Sequence, residues 1–154
     1  MSRRPDAERM ADGVIRLWTA LQRRKDEPAS TAELTTSQAL ALRAIVREGP
    51  LRMGALAVEL GVTVATASRT VDALAARELV RREADPADAR AVRVVATASG
   101  RREHRLRRER FVRALERVSE ELSEVEQRQL AESLETLARL FGAGEKKVSA
   151  RKSA

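Results

Sequence analysis

The stretch MGALAVELGVTVATASRTVDALAARELV, residues 53–80, decides the fold. Met53, Leu56, Ala57 and Leu60 recur at helical spacing, which predicts a short helix over 53–60 with one apolar face. Gly61 follows and stops it, because glycine accepts the left-handed backbone that a helix C-terminus needs. Thr63 then offers a side-chain oxygen to cap a second helix, running from Val64 to about Arg77. At about 100° per residue, Val64, Ala67, Val71 and Leu74 fall on one side. Ala65, Arg69, Asp72 and Ala76 fall opposite, with Thr66 and Ser68 on the flanks. An apolar back and a small, polar front near the N-terminal tip is the layout of a helix-turn-helix, whose second helix enters the DNA major groove tip first.

The next residues predict a wing. ELVRRE, residues 78–83, reads as a strand; ADPADAR, residues 84–90, as a polar turn; and AVRVVA, residues 91–96, as the β-branched returning strand. Thr97 offers the cap of a further helix. Upstream, Thr35 and Gln38 form a capping-box pattern, opening a helix whose core face is Leu42, Ile45 and Val46 and which ends at Gly49–Pro50. Leu51 and Arg52 make a short extended link that can serve as a third, minimal strand.

Toward the N-terminus, Met10, Val14, Leu17, Trp18 and Leu21 form one stripe on a helix from Asp6 to about Lys25. Gly13 weakens that helix by about 1 kcal/mol relative to alanine. Trp18 is suited to a core or subunit contact, or to lining a ligand pocket. DEPAST, residues 26–31, breaks the period and reads as a loop. Toward the C-terminus, residues 98–122 carry an apolar stripe that is convincing from Phe111 onward. Six arginines crowd positions 101–110, suited to a solvated face, to DNA phosphates or to acidic groups of a partner subunit. Ser123 and Glu126 repeat the capping-box pattern and open a last helix with Val125, Leu130, Leu134, Leu137 and Phe141 on one side. Gly142 and Gly144 are expected to end it, leaving a basic, structureless tail.

The terminal helices are too long for a module of about 60 residues to cover, so their stripes (Val14, Leu17, Leu21, Leu130, Leu134, Leu137) are expected to pair with a second copy. Two copies also suit DNA, since a two-fold dimer presents two recognition helices about 34–36 Å apart, one turn of the duplex. The domain plan is therefore an N-terminal dimerisation helix and loop (1–30), a winged helix-turn-helix (31–97), C-terminal dimerisation helices (98–142) and the basic tail (143–154). The fold class is mainly α with a small β wing.

Composition agrees with a DNA partner. The 154 residues carry a net charge of +7, which favours polyanions. Aromatic residues are only 2%, too few for a single-strand binder that stacks bases on flat side chains. There is no cysteine, which removes disulfides, thiolate metal sites and cysteine redox switches. His104 is the single histidine and has no grouped metal ligands near it in sequence. No Ser/His/Asp set and no phosphate-cradling glycine loop is present, so no enzyme, no cofactor and no metal are expected. No apolar run approaches the ~18–20 residues of a membrane span. The N-terminus lacks the apolar core of a signal peptide, so a cytoplasmic protein with no membrane partner is expected.

Several of these segments together resemble the MarR family of bacterial winged-helix transcription regulators. LTTSQALALRAIVREGPL (34–51) looks like the family's second helix and link, and residues 53–80 like its helix-turn-helix. DPADAR followed by AVRVVATASG (85–100) is similar to its wing signature, in which Asp-x-Arg precedes a strand ending in Thr and Gly. LSEVEQRQLAESLETLARL (122–140) looks like its final dimerisation helix. Glu78 stands where the family usually has glycine, and Val95-Ala96 where it has leucine. The resemblance implies a homodimer on a palindromic operator of double-stranded DNA, usually repressing its own or neighbouring genes. Such proteins are often loosened from DNA by a small molecule, so an effector is a candidate partner, with Trp18, Leu21 and Leu42 as candidate pocket residues.

Val64, Ala65, Thr66, Ser68 and Arg69 are the expected major-groove surface. Arg69 can place two donors on guanine O6 and N7, Thr66 and Ser68 can bond phosphate or base edges, and Ala65 is small enough to meet a thymine methyl. The competing use of Arg69 is an ion pair with Asp72. By its match to the family wing, Arg90 is expected in the minor groove, where a narrow A·T-rich tract concentrates negative potential. Asp88 is expected to hold the wing tip, and Arg81, Arg82 and Arg93 to meet phosphates. The alternative function is an architectural or protein-interaction winged helix with little DNA sequence preference.

Overall fold

The computed structural model describes residues 4–23 and 33–152. The loop expected over 26–31 and the side chains of Trp18 and Leu21 lie outside the described residues. The elements run α1 (Arg4–Arg23), α2 (Thr36–Glu48), β1 (Leu51–Arg52), α3 (Met53–Leu60), α4 (Val64–Ala75), β2 (Val80–Asp85), β3 (Asp88–Ala96), α5 (Ala98–Ser119) and α6 (Glu124–Lys152). This is mainly α with a small β wing, as the sequence predicts. The chain divides into two compact units, Met1–Gly100 and Arg101–Ala154.

In the first unit, α2, α3 and α4 pack on one face of a three-stranded antiparallel sheet ordered β1-β3-β2. The minimal strand β1 is real: Leu51 pairs with Val94 and Arg52 with Arg93. The core holds Leu34, Leu42, Ile45, Leu56, Val71, Leu74, Leu79, Val80 and Val94. It is aliphatic throughout, and a fully buried side chain of this kind contributes roughly 1.5–3 kcal/mol. Local signals set the boundaries. The Thr35 hydroxyl accepts from the Gln38 N–H at 3.2 Å, and the Gln38 carboxamide accepts from the Thr35 N–H at 3.0 Å, closing the capping box.

Two turns share one geometry. Gly61, in the left-handed region at φ 63°, ends α3, with the Val62 N–H donating to the Ala57 carbonyl at 3.0 Å. The exit from α4 repeats this pattern: Leu79 N–H donates to Leu74 O at 3.0 Å and Glu78 N–H to Ala75 O at 2.8 Å. There the left-handed residue is Glu78, at φ 57°. A side chain in that region costs roughly 1–2 kcal/mol. Glu78→Gly is therefore expected to raise stability by about 1 kcal/mol, net of the greater freedom glycine gives the unfolded chain; urea unfolding of the pair measures it.

Several expectations are corrected. Val64 is 53% exposed and outside the core, although the period places it on the apolar side. It occupies the first turn of α4, and burial on that side of the helix begins with Ala67. Strand β2 spans 80–85 in place of 78–83, because Glu78 and Leu79 are spent in the turn. The wing loop expected over 84–90 shrinks to Pro86-Ala87, with β3 starting at Asp88. The cause is Asp85, whose Oδ1 accepts from the Ala87 N–H at 2.9 Å and tightens the turn.

In the second unit, Ser123 and Glu126 form the expected cap, the Ser123 N–H donating to Glu126 Oε2 at 2.8 Å. Helix α6 does not stop at Gly142 and Gly144 but continues to Lys152, into the tail expected to be structureless. Extending a helix that already exists costs only about 1 kcal/mol per glycine, and the Ala, Glu, Lys and Arg residues beyond are good helix formers. Val14 and Leu17 on α1, Phe111, Leu115 and Val118 on α5, and Leu130 and Leu134 on α6 are all exposed; Leu137 is half-buried. Among the described residues no helix is long and apolar enough to cross a membrane.

Candidate nucleic-acid interface

The tip of α4 is built by its cap. Thr63 accepts from the Thr66 N–H at 3.2 Å, and the two hydroxyl oxygens lie 3.0 Å apart. Val64, Ala65, Thr66 and Arg69 are exposed on the turn and a half that follow, and Ser68 is half-buried beside them. The surface is small and mixed, with an apolar methyl-sized patch, a hydroxyl and a long cation within one helical tip.

The competing ion pair of Arg69 with Asp72 is not formed. Asp72 instead receives Arg82 of β2, whose Nη1 lies 2.7 Å from Oδ1, and Nη2 of the same guanidinium donates to Ser68 Oγ at 3.3 Å. Arg82 thus straps the wing to the middle of α4. Ser68 keeps its own hydroxyl proton to donate. Among the described residues, no side chain partners the guanidinium of Arg69.

The other wing arginines are engaged in ion pairs within the wing. Arg81 and Arg93 converge on Glu83 at 3.0 and 2.7 Å. Arg52, Arg93 and Glu83 lie directly opposite one another across the three strands, so these charges share one face of the sheet. Farther along that face, Arg52 Nε donates to Asp85 Oδ2 at 2.6 Å. Asp88 accepts the Arg90 N–H at 3.1 Å, bending the chain behind the turn. The Arg90 side chain is exposed and, among the described residues, without a partner.

Asp85, at 9% the one buried charged residue among those described, was not singled out in the sequence. Nor was Arg52 or the strap role of Arg82. The Asp85-Pro86 step is a turn signal that points to the first; the two arginines reach partners 33 and 10 residues away, which no local pattern reveals.

Two carboxyl groups here sit below the usual carboxylate range. For Asp85 the Ala87 N–H is the main cause, followed by the hydrogen bond from Arg52. For Glu83 the causes are the hydrogen bonds from Arg93 and then Arg81. Each is depressed on folding, so each stabilises the fold fully above the ordinary carboxylate pKa near 4 and loses that contribution as pH falls through its lower folded value. Wild type is therefore expected to lose melting temperature more steeply than Asp85→Asn does as pH falls below about 4. Parallel curves would show that Asp85 does not couple to folding.

The candidate pocket residue Leu42 is 1% exposed and packs in the core of the winged helix. A shallow groove of about 120 Å³ lies instead between α2 and α3, lined by Leu40, Arg43, Ala44, Arg47, Glu48, Glu59 and Leu60. Among the described residues no group of three or more His, Cys, Asp or Glu is placed to hold a metal ion.

A capped helix-turn-helix, strapped to a two-stranded hairpin that carries an exposed arginine near its turn, defines a winged-helix protein. The MarR family model matches residues 32–91, and this segment is a MarR-family winged helix. The fold extends over nearly the whole chain in solved structures. A MarR family protein from Bacillus stearothermophilus is 25% identical, with a TM-score of 0.78 over 92% of this chain and 99% of that one. FabT of Streptococcus pneumoniae, solved in complex with DNA, is 17% identical, with a TM-score of 0.70 over 89% of this chain and 98% of that one. BpsR of Bordetella bronchiseptica, whose DNA binding is regulated by 6-hydroxynicotinic acid, is 20% identical, with a TM-score of 0.65 over 84% and 98%. No curated protein matches the chain.

Proposed function

We propose that the protein is a homodimeric, sequence-specific DNA-binding regulator of transcription, acting in the cytoplasm as a repressor of its own or adjacent genes. The observation that carries this is selective neutralisation. Arg81, Arg82 and Arg93 are held in ion pairs, whereas Arg69 on the helix tip and Arg90 near the wing turn have no partner among the described residues. Both unpaired guanidiniums lie on the two elements that a winged helix turns toward the duplex, where they are available to base edges and phosphates. In this reading Val64, Ala65, Thr66, Ser68 and Arg69 enter the major groove, Arg90 the adjacent minor groove, and Asp88 supports the wing.

Two copies pair through the exposed stripes of α1 and α6, with Val14, Leu17, Leu130, Leu134 and Leu137 buried between them. The operator is then a palindrome, since a two-fold protein repeats its half-site. A small-molecule effector that loosens the complex is part of the proposal; its support is the likeness to BpsR. The test is operator binding in competition with excess random duplex at physiological salt. Retention of operator by several orders of magnitude in competitor supports specific regulation. Equal displacement by random duplex contradicts it and favours the architectural reading.

A further inference from the structure

We propose that Arg52 is a positioning residue for the wing: through Asp85 and Asp88 it fixes the angle at which Arg90 is presented to DNA. The inference rests on the proposed placement of Arg90 in the minor groove. Arg52 lies on β1, an edge strand, and Asp85 ends β2, the opposite edge. Its side chain therefore crosses the central strand β3 to bring Nε within 2.6 Å of Asp85 Oδ2, while Nη2 lies 3.9 Å from Asp88 Oδ2. Each carboxylate in turn holds a backbone N–H of the wing: Asp85 that of Ala87, at 2.9 Å, and Asp88 that of Arg90, at 3.1 Å. One guanidinium thus ties together the two groups that shape the turn and the chain entering Arg90.

The wing tip needs such a tie. The ladder runs in register from Val80–Ala96 to Ala84–Val92 and then jumps to Asp85–Asp88, so residues 89–91 have no opposite number on β2. Arg90 sits in the middle of that unpaired stretch. Without a brace from β1, its backbone is held by little more than the local bond to Asp88. The Arg52 guanidinium is half exposed, and an ion pair open to solvent on one side adds only modestly to stability. The consequence of losing this one is therefore looked for in DNA reading rather than in melting.

Arg52 is half exposed, so the rival role is a direct phosphate contact. Arg52→Met keeps the aliphatic stem and removes the guanidinium. Binding is measured on an operator flanked by A·T pairs and on one flanked by G·C pairs, in the wild-type and Arg90→Ala backgrounds, at several salt concentrations. The expected result is a loss of roughly fivefold on the A·T-flanked site, little change on the G·C-flanked site, and no further loss once Arg90 is alanine. The salt slope should stay as in wild type. A loss that persists in the Arg90→Ala background with a shallower slope means a phosphate contact and overturns the positioning role, as does full wild-type affinity on both sites. Asp85→Asn, which keeps an acceptor for the Ala87 N–H, must reproduce the Arg52→Met pattern, and it carries the same test if Arg52→Met does not fold. A wild type indifferent to the flanks removes the minor-groove reading of Arg90 itself, and this proposal with it. A flank-sensitive wild type with an unaffected Arg52→Met removes the positioning role alone.

Discussion

Gly100→Ala is expected to lower stability by about 3 kcal/mol and the melting temperature by roughly 10 °C, an unusually large effect for the addition of one methyl group. Gly100 sits in the first turn of α5, where its N–H donates to the Thr97 hydroxyl at 3.0 Å. A Cβ there would fall inside the contact radius of the Leu79 carbonyl oxygen and press on Leu42. The carbonyl is held in place by the backbone, accepting from the Thr97 N–H at 3.0 Å, with the Thr97 hydroxyl 3.1 Å away. The same hydroxyl donates at 2.7 Å to the carbonyl oxygen of Glu78, the left-handed residue in the exit turn of α4. Crowding at Gly100 therefore disturbs the exit of α4 as well as the start of α5. Gly54→Ala is the control: a Cβ there meets open space, and alanine is the better helix former. Thermal unfolding of the three proteins side by side decides the matter, and a Gly100→Ala protein that melts within a few degrees of wild type would show that this packing is not as close as described.

Arg69→Ala and Arg90→Ala carry the largest expected effects on binding, and they should differ in kind. On the proposed placement, Arg69→Ala removes a bidentate donor from the major groove. It is expected to cost about 1–3 kcal/mol on the operator and to relax the preference at one base pair of each half-site. On the same proposal, Arg90→Ala removes a cation from a narrow groove, so its cost should be concentrated where the flank is A·T-rich and small elsewhere. Neither should alter melting, since neither guanidinium has a partner among the described residues. Mobility-shift titrations against a set of single-base operator variants separate the two patterns. If both proteins bind every duplex as wild type does, the groove assignments are wrong.

What the sequence discloses and what it hides divide by range. The capping boxes at Thr35 and Ser123, the stop at Gly61 and the cap at Thr63 are all written within a few residues, and the structure holds each of them. The apolar backs of α2 and α4 follow from period alone, except for Val64, whose burial needed a neighbour that the first turn of α4 lacks. The wing was legible as an element but not in its detail. Composition suggested a long polar turn, whereas the Asp85 carboxylate closes a short one. The straps from Arg82 to Asp72 and from Arg52 to Asp85 depend on strand order and register, which only the folded sheet fixes. Those straps also change the reading of charge. Of the arginines on and beside the wing, periodicity could not say which were free, and the answer selects Arg69 and Arg90. The course of α6 past Gly142 is hidden for a simpler reason: a glycine costs a growing helix less than starting one does.

The central claim is that paired copies of this chain read duplex DNA through two helix tips and their wings. Sequencing the fragments that the purified protein retains from a random duplex pool at physiological salt tests both halves of it at once. The account predicts an inverted repeat whose half-site centres lie about 10–10.5 base pairs apart, with A·T enrichment at the flanks where Arg90 would sit. A retained pool with no motif, or with a single unrepeated half-site, would contradict it.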